Sequence, residues 1–370
     1  MHFGEAIEEE RLVRLLRPGD GIDTVLSADV YGAGEADRLL GRALEGVERD
    51  TYCLVGAIGH DFYVGERQGP RGFPRFTDPG LRPQSEYGAY LRMATERSLE
   101  RMGASHFDLL LLHNPDSTGF RSPAVWEGLE AVRAAGLTRS LGVAPGPANG
   151  FTLDLIDCFE RFGGLIDWAM IILGPMEPWP GELTLAAARR SGVGLITRVV
   201  DYGGLFHDDI RPGHRFDHHD HRAFRPDGWV EEGLRRLALM RPYATRHDLT
   251  PLQLACAWNL AQEPVRCVVP TLIQEGGEGA RAIEDKRAEL GALTGRLAVG
   301  EPLLTPGEVA ELREIGDNSG CMALKGASTE YDGPPLADRW PLDPERRSLA
   351  ARWGIDPDSQ LVHLDAPTPA

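Results

Sequence analysis

The sequence predicts an α/β fold: a (β/α)8 TIM barrel with a shortened N-terminus, long loops after its third and seventh strands, and a C-terminal tail. Three observations carry that expectation. Short apolar runs rich in β-branched residues recur along the chain. Amphipathic stretches with helix punctuation lie between them. The runs are apolar nearly throughout rather than at alternate positions, as strands of a parallel sheet covered by helices are.

The runs, in order, are Asp23–Ser27, Tyr52–Ala57, Phe107–His113, Arg139–Ala144, Ile166–Leu173, Val193–Val200 and Arg266–Pro270. Between the second and third, Tyr90–Met102 carries its apolar residues at spacings of three and four, which is one helix face. Ser122-Pro123 reads as the cap and first-turn proline of the next helix, and Gly136 ends it. Thr250-Pro251 opens another in the same way. The remaining strand of a barrel belongs before Glu8–Leu16, where only Met1 to Gly4 remain, so that strand is stunted or missing. The segment from Gly59 to Tyr90 is rich in Gly, Pro and aromatics, and the one from Gly203 to Thr250 holds a polar stretch. Insertions after barrel strands lie on the catalytic face, so both are expected to roof the site. Residues 1–315 read as the barrel, and 316–370, Pro/Gly-rich with little periodicity, as an extension packed on it.

The length, 370 residues, is within the range of one such barrel. With 42% hydrophobic and 26% charged residues, a soluble core forms and global disorder is excluded. The formal net charge is −17, from 56 acidic against 39 basic side chains. A field of that sign repels phosphate backbones and anionic lipid, so the expected partner is a small-molecule substrate, not nucleic acid or membrane. A homo-oligomer is left open. No apolar run reaches the roughly 18 residues of a membrane span, and Met1–Glu10 is acidic and polar, unlike a signal peptide; a cytoplasmic location is expected. Cys53, Cys158, Cys256, Cys267 and Cys321 are scattered, as buried free thiols are, and no pair has metal-ligand spacing.

Several of these segments together resemble the aldo/keto reductase superfamily. GIDTVLSADVYGAGEADRLLGRAL resembles the signature in which a strand ends in Asp-Thr-Ala and runs on to Tyr-Gly. SLERMGASHFDLLLLHNPD resembles the helix, strand and catalytic histidine, and WEGLEAVRAAGLTRSLGVAP the segment after it. The resemblance covers roughly residues 8 to 315. It implies a barrel that binds NADPH across its strand ends without a Rossmann glycine loop, and no such loop follows any strand here.

Chemistry in that superfamily uses a Tyr as general acid, a Lys and an Asp that tune it, and a His that orients the carbonyl. A phenol with a pKa near 10 needs a nearby cation to exchange a proton around neutrality. Carried over, the Tyr is Tyr31 and the His is His113, whereas the Asp position holds Leu26 and the Lys position Ala57. The chain's only lysines, Lys286 and Lys325, both lie after the last strand. The Ser-Asn pair that holds the nicotinamide amide is replaced by Ala144-Pro145, the Gln on the next strand by Met170, and the stacking aromatic by Arg198. The phosphate-binding stretch carries Glu275 and Glu278, leaving Arg281, Lys286 and Arg287 as cofactor-binding candidates.

Tyr31 and His113 are therefore the catalytic candidates, with His113, near pKa 6.5 when unperturbed, as the better base. Arg198 and Asp201 end a strand: Arg198 suits a carboxylate, phosphate or carbonyl oxygen of a substrate, or else pairs with Asp201 structurally. Glu177 and Trp179 follow the preceding strand and are expected at the mouth, the Trp against a flat or sugar-like ring or in the core. Asn114 and Asp116 shape the loop after His113. His207, His214, His218, His219 and His221 interleave with Asp208, Asp209, Asp217 and Asp220; the composition suits a divalent metal, but the spacing fits no ligand motif, and a gating loop explains it as well. No metal is assigned.

An acid/base pair without its tuning partners points to elimination, isomerisation or cyclisation on a carbonyl- or sugar-like substrate, with no cofactor required. The alternatives are an NAD(P)H-dependent reductase or dehydrogenase with altered cofactor contacts, using NADPH, and a non-catalytic binding or regulatory barrel.

Overall fold

The computed structural model describes residues 3–69, 72–146, 151–225, 228–297, 302–318 and 343–361. Seven parallel strands, β1 Thr24–Ala28, β2 Cys53–Ile58, β3 Phe107–His113, β4 Thr138–Ala144, β5 Trp168–Ile172, β6 Gly194–Arg198 and β7 Val265–Val269, pair each with the next in the chain. Each apolar run in the sequence became one of them, shifted by no more than a few residues. Helices return the chain between strands: α1 Glu9–Leu16, α2 Glu35–Leu44, α3 Tyr87–Met102, α4 Ser117–Arg121, α5 Pro123–Ala134, α6 Thr152–Phe162, α7 Leu185–Ser191, α8 Trp229–Arg246, α9 Pro251–Leu260, α10 Ile283–Leu297, α11 Pro306–Ile315 and α12 Pro344–Arg352. This is the architecture of a (β/α)8 barrel, reached with seven strands among the described residues.

The pleat sorts side chains into two cores. Ala28, Val55, Ala57, Leu109, Leu111, Ala144, Met170 and Ile196 meet inside the curled sheet. A much larger cluster, including Leu54, Phe107, Leu110, Leu141, Trp126 and Trp258, fills the layer between sheet and helices. Because strand side chains alternate, register decides which residues reach the interior: Leu26 pairs with Val55, Ala28 with Ala57, and His113 with Ala144.

The described residues ahead of α1 add no strand. Instead, the Glu5 N–H donates to the Gln274 carbonyl (2.8 Å) and the Gly4 N–H to Asp220 Oδ2 (2.7 Å). Gly4 has φ 61°, and a Cβ there would lie 2.2 Å from the Gln274 oxygen, so only glycine lets the chain lie this close.

Local punctuation follows the sequence with one exception. Thr250 caps α9 in a capping box with Gln253, and Asp116 caps α4 by accepting the Gly119 N–H. Pro123 opens α5, but the Ser122 hydroxyl accepts from Gln84 Nε2 (2.8 Å) rather than capping the helix. Of the C-terminal segment, α12 lies on α6 through Arg346–Asp154 (2.5 Å) and Arg352–Glu160 (2.7 Å). Cys53, Cys158, Cys256 and Cys267 are free thiols, and Cys321 and Lys325 lie outside the described residues. No helix among the described residues is long and apolar enough to cross a membrane.

Candidate active site

A cavity of about 550 Å³ opens at the C-terminal ends of the strands. Its floor is apolar, made by Leu26, Ala28, Ala57, Leu111, Ala144 and Met170 from β1 to β5. Its wall carries the polar groups: Tyr31, His113, Asn114, Glu177, Arg198, Asp201, Arg222 and Arg225. Phe3 and His221 complete the rim, their rings 5.7 Å apart.

Tyr31 lies just after β1 and His113 ends β3, and the two rings meet edge to face, centroids 5.6 Å apart at 88°. Tyr31 is 51% exposed and His113 only 7%. Burial holds the His113 imidazole down to about pKa 3, with further lowering from His60, Arg198 and Arg75. His60 backs it at 5.4 Å and is itself lowered to about 4, chiefly by burial and then by Arg75. The His60 Nδ1–H donates to the Phe73 carbonyl (2.8 Å), leaving Nε2 to accept from Asn114 Nδ2 (3.2 Å). Both imidazoles thus sit below the unperturbed 6.5, which favours their neutral forms at neutral pH. The Tyr31 phenol is also displaced from its usual value: burial raises it, against an opposing pull from the Arg198 guanidinium.

Arg198 is the cation that Tyr31 faces. It ends β6 and donates from Nη2 to the carbonyls of Gly146 (3.0 Å) and Pro145 (3.3 Å), not to Asp201. Burial lowers its pKa while Tyr31 and Glu177 raise it, and a guanidinium in that setting stays charged. The next residue, Val199, has φ 61°, a left-handed conformation that a β-branched side chain seldom takes. Asp201, fully buried, holds the turn by accepting the N–H groups of Gly204 (2.9 Å) and Thr271 (2.7 Å). Its oxygens thus fasten the β6 loop to the segment after β7.

Glu177 lines the cavity, but Trp179 does not. An antiparallel bridge between Gly174 and Glu177 turns the loop back on itself. Trp179 is then buried, with its Nε1 donating to the Gln360 carbonyl (2.6 Å) and its backbone exchanging bonds with the Asn318 side chain. Its partner is the C-terminal segment, not the cavity mouth.

The cofactor candidates are also placed elsewhere. Lys286, wholly buried, pairs with Asp209 (2.6 Å) and the Ile273 carbonyl (2.5 Å). Arg281 pairs with Glu289 (2.6 Å), and Arg287 donates to Asp20 and to the carbonyls of Leu15 and Arg17 at the end of α1. Glu275 is held by Arg222, whose other partner is Asp220 (2.7 Å). The described residues do not fit NADPH held as the resemblance implies: the amide clamp is Ala144-Pro145, Arg198 takes the stacking position, and the three cations are committed to carboxylates and carbonyls.

The histidine-rich segment divides by position. His207 is buried with Nε2 donating to the Thr271 carbonyl (2.8 Å), and His221 reaches the rim. Asp217, His218 and His219 are exposed and bring one ligand atom each within 4.8 Å. Arg225 was not singled out from the sequence. The signal available was an arginine in an insertion after a strand, beside the histidines that drew attention instead.

Comparison with known proteins agrees with the barrel and names its lineage. The profile described as Aldo/keto reductase family matches residues 5–275. A D-threo-aldose 1-dehydrogenase from a Pseudomonas species is 26% identical over 263 residues, 67% of this chain and 74% of that protein. A 6-dehydroglucose reductase from Agrobacterium fabrum is 29% identical over 126 residues, 34% of this chain, so the match spans only 39% of that relative's length. Among solved structures, a glycerol dehydrogenase from Gluconobacter oxydans aligns with TM-score 0.60 at 20% identity, over 80% of this chain and 81% of that one. An aldo/keto reductase from Klebsiella pneumoniae, solved with NADP and acetate, aligns with TM-score 0.55 at 18% identity, over 85% and 90%. The chain belongs to the aldo/keto reductase family.

Proposed function

We propose that this protein is an oxidoreductase that interconverts a carbonyl and a hydroxyl on a small polyhydroxylated molecule. The observation that carries the reading is the Tyr31–His113 pair on the wall of the strand-end cavity, with the Arg198 guanidinium beside the phenol. The relatives, a 6-dehydroglucose reductase and a D-threo-aldose 1-dehydrogenase, favour sugar oxidation or reduction over elimination, isomerisation or cyclisation.

The residues divide the work by their charge states. Tyr31, half exposed and protonated, donates a hydrogen bond and then a proton to the substrate oxygen. Neutral His113 orients that oxygen without carrying charge. Arg198 supplies the positive potential that Ala57 cannot, favouring the phenolate left behind. Redox chemistry of this class takes hydride from a nicotinamide nucleotide, which this chain would have to seat by contacts other than those of the resemblance.

The test is titration with NADPH and NADH by calorimetry and tryptophan fluorescence, followed by turnover with nucleotide deuterated at the transferred position. Binding and appearance of label in a sugar alcohol support the reading. No binding up to millimolar nucleotide overturns it.

A further inference from the structure

The insertion after β2, from Gly59 to Tyr90, does not roof the cavity as its place in the chain suggests: none of its described residues lines it. It packs instead on the end of β3, behind His113. Gly59 begins it, and a Cβ there would lie 1.9 Å from the His113 carbonyl oxygen, so only glycine lets the two strand ends touch. Arg75 Nε donates to the Asn114 carbonyl, and Thr77 Oγ1 to Asp116 Oδ2 (2.7 Å). His60 is buried among these contacts and held from several sides. Its ring has the Phe73 and Asn114 hydrogen bonds, its carbonyl accepts from the Tyr90 hydroxyl (2.8 Å), and its backbone is bridged to Arg75. Arg75 Nη1 lies 3.0 Å from His60 Nδ1 and, after burial, is the second cause of that ring's lowered pKa.

An imidazole that works at a reacting oxygen is ordinarily oriented by a hydrogen bond at the nitrogen facing away from that oxygen. His113 has no such anchor at Nδ1, which is buried with no hydrogen-bond partner among the described residues. Packing has to fix the ring instead. The His60 ring stands against it at 5.4 Å and 63°, and the Tyr31 ring at 5.6 Å and 88°. Of these two neighbours Tyr31 is half exposed, whereas His60 is buried and anchored. We infer that His60 is a positioning residue: its anchored ring holds His113 edge-on to Tyr31, in place of the hydrogen bond that His113 lacks. Without that contact the imidazole is free to turn about χ2, whose rotamers are broad. The inference rests on reading Tyr31 and His113 as the reacting pair.

His60→Ala and His60→Phe test this together. Both lose the same ring hydrogen bonds, and they differ in whether a ring stands against His113. The first readout is cross-relaxation between the His113 and Tyr31 ring protons, in protein deuterated except at His and Tyr, with His113→Gln to assign the signal. It needs neither substrate nor nucleotide. The contact is expected in the native chain and in His60→Phe, and should be lost in His60→Ala. The second readout is steady-state turnover, with D-glucose and NADPH as the probes. There kcat should fall at least about tenfold in His60→Ala with KM within about twofold, and His60→Phe should return it to within about threefold of native. Thermal unfolding checks that each variant has folded; if His60→Ala has not, His60→Leu, which fills the space without a ring, replaces it. A His113–Tyr31 contact that persists without the His60 ring, equal losses in both variants, or no contact in the native chain overturns the inference. A native chain that shows no turnover removes support from the redox reading and leaves the ring contact to decide the positioning role.

Discussion

Leu26 and Ala57 are diagonal neighbours on β1 and β2, with Leu26 paired to Val55 and Ala57 to Ala28, and both side chains line the cavity. An acid and a base placed there would have faced each other across the strands; instead the site has an apolar floor beneath Tyr31.

That geometry predicts non-additivity. Ala57→Lys alone puts an unpaired ammonium on an apolar floor and should cost about 3 kcal/mol. Leu26→Asp alone should be similarly unfavourable. The double variant should lose clearly less than the sum, and its reductase turnover should rise at least about tenfold. Thermal unfolding of the four proteins in a cycle measures the coupling, and strict additivity would sink the idea.

The two neutral histidines set an acid limit on stability. His113 and His60 have folded pKa values of about 3 and about 4, below the ordinary 6.5. Between those values and 6.5 the unfolded chain binds protons that the folded chain refuses, so stability is full above pH 6.5 and falls as the pH drops through that window. The midpoint temperature should decline between pH 6.5 and 4, and His113→Gln should flatten part of the decline. A profile unchanged by the substitution would show that His113 is not the cause.

Asp29 gives the opposite sign. It is fully buried behind the site, neither carboxylate oxygen has a hydrogen-bond partner among the described residues, and burial, with Asp37 nearby, pushes its pKa well up. At neutral pH the unfolded chain ionises this group at little cost, whereas burial opposes its ionisation in the folded chain. Asp29→Asn should therefore stabilise at pH 7 by about 1–3 kcal/mol. The gain should shrink toward zero as the pH falls below the ordinary carboxylate range. Denaturant unfolding at pH 7 and pH 4 checks both parts.

The cations after β7 are held in ion pairs within the fold. Arg281→Ala and Arg287→Ala should leave any nicotinamide affinity unchanged within about twofold, since the Arg281 guanidinium is committed to Glu289 and the His207 carbonyl and that of Arg287 to Asp20 and backbone carbonyls. Lys286→Ala should cost about 3–5 kcal/mol, because Asp209 is left buried without its counter-ion. Calorimetric titration of NADPH against each variant separates the two roles; a tenfold loss for Arg281→Ala would restore it as a phosphate contact.

The strands were legible because each is a dense apolar run that only a sheet covered by helices can bury, and the Tyr31–His113 pair was carried over from the resemblance. What sequence could not show depends on long-range paths. Trp179 is two residues from Glu177, yet the Gly174–Glu177 bridge turns it away from the cavity toward Gln360. Arg225 reaches the wall only because the insertion after β6 folds back over the strand ends. Local residue types say nothing of either path. The shifted His113 is a third case: its side chain is the expected one, but its pKa is lowered first by its burial and then by His60, Arg198 and Arg75 around it.

The fastening of Gly4 to Asp220 and of Glu5 to Gln274 gives the start of the chain an effect on ligand traffic. Phe3 is part of the cavity rim, so any peptide fused ahead of it leaves the molecule at the doorway rather than on a remote surface. An affinity tag at that end stands in the path of entry and exit. Preparations differing only in tag position should then show different ligand on- and off-rates, with the tag-free protein as the reference.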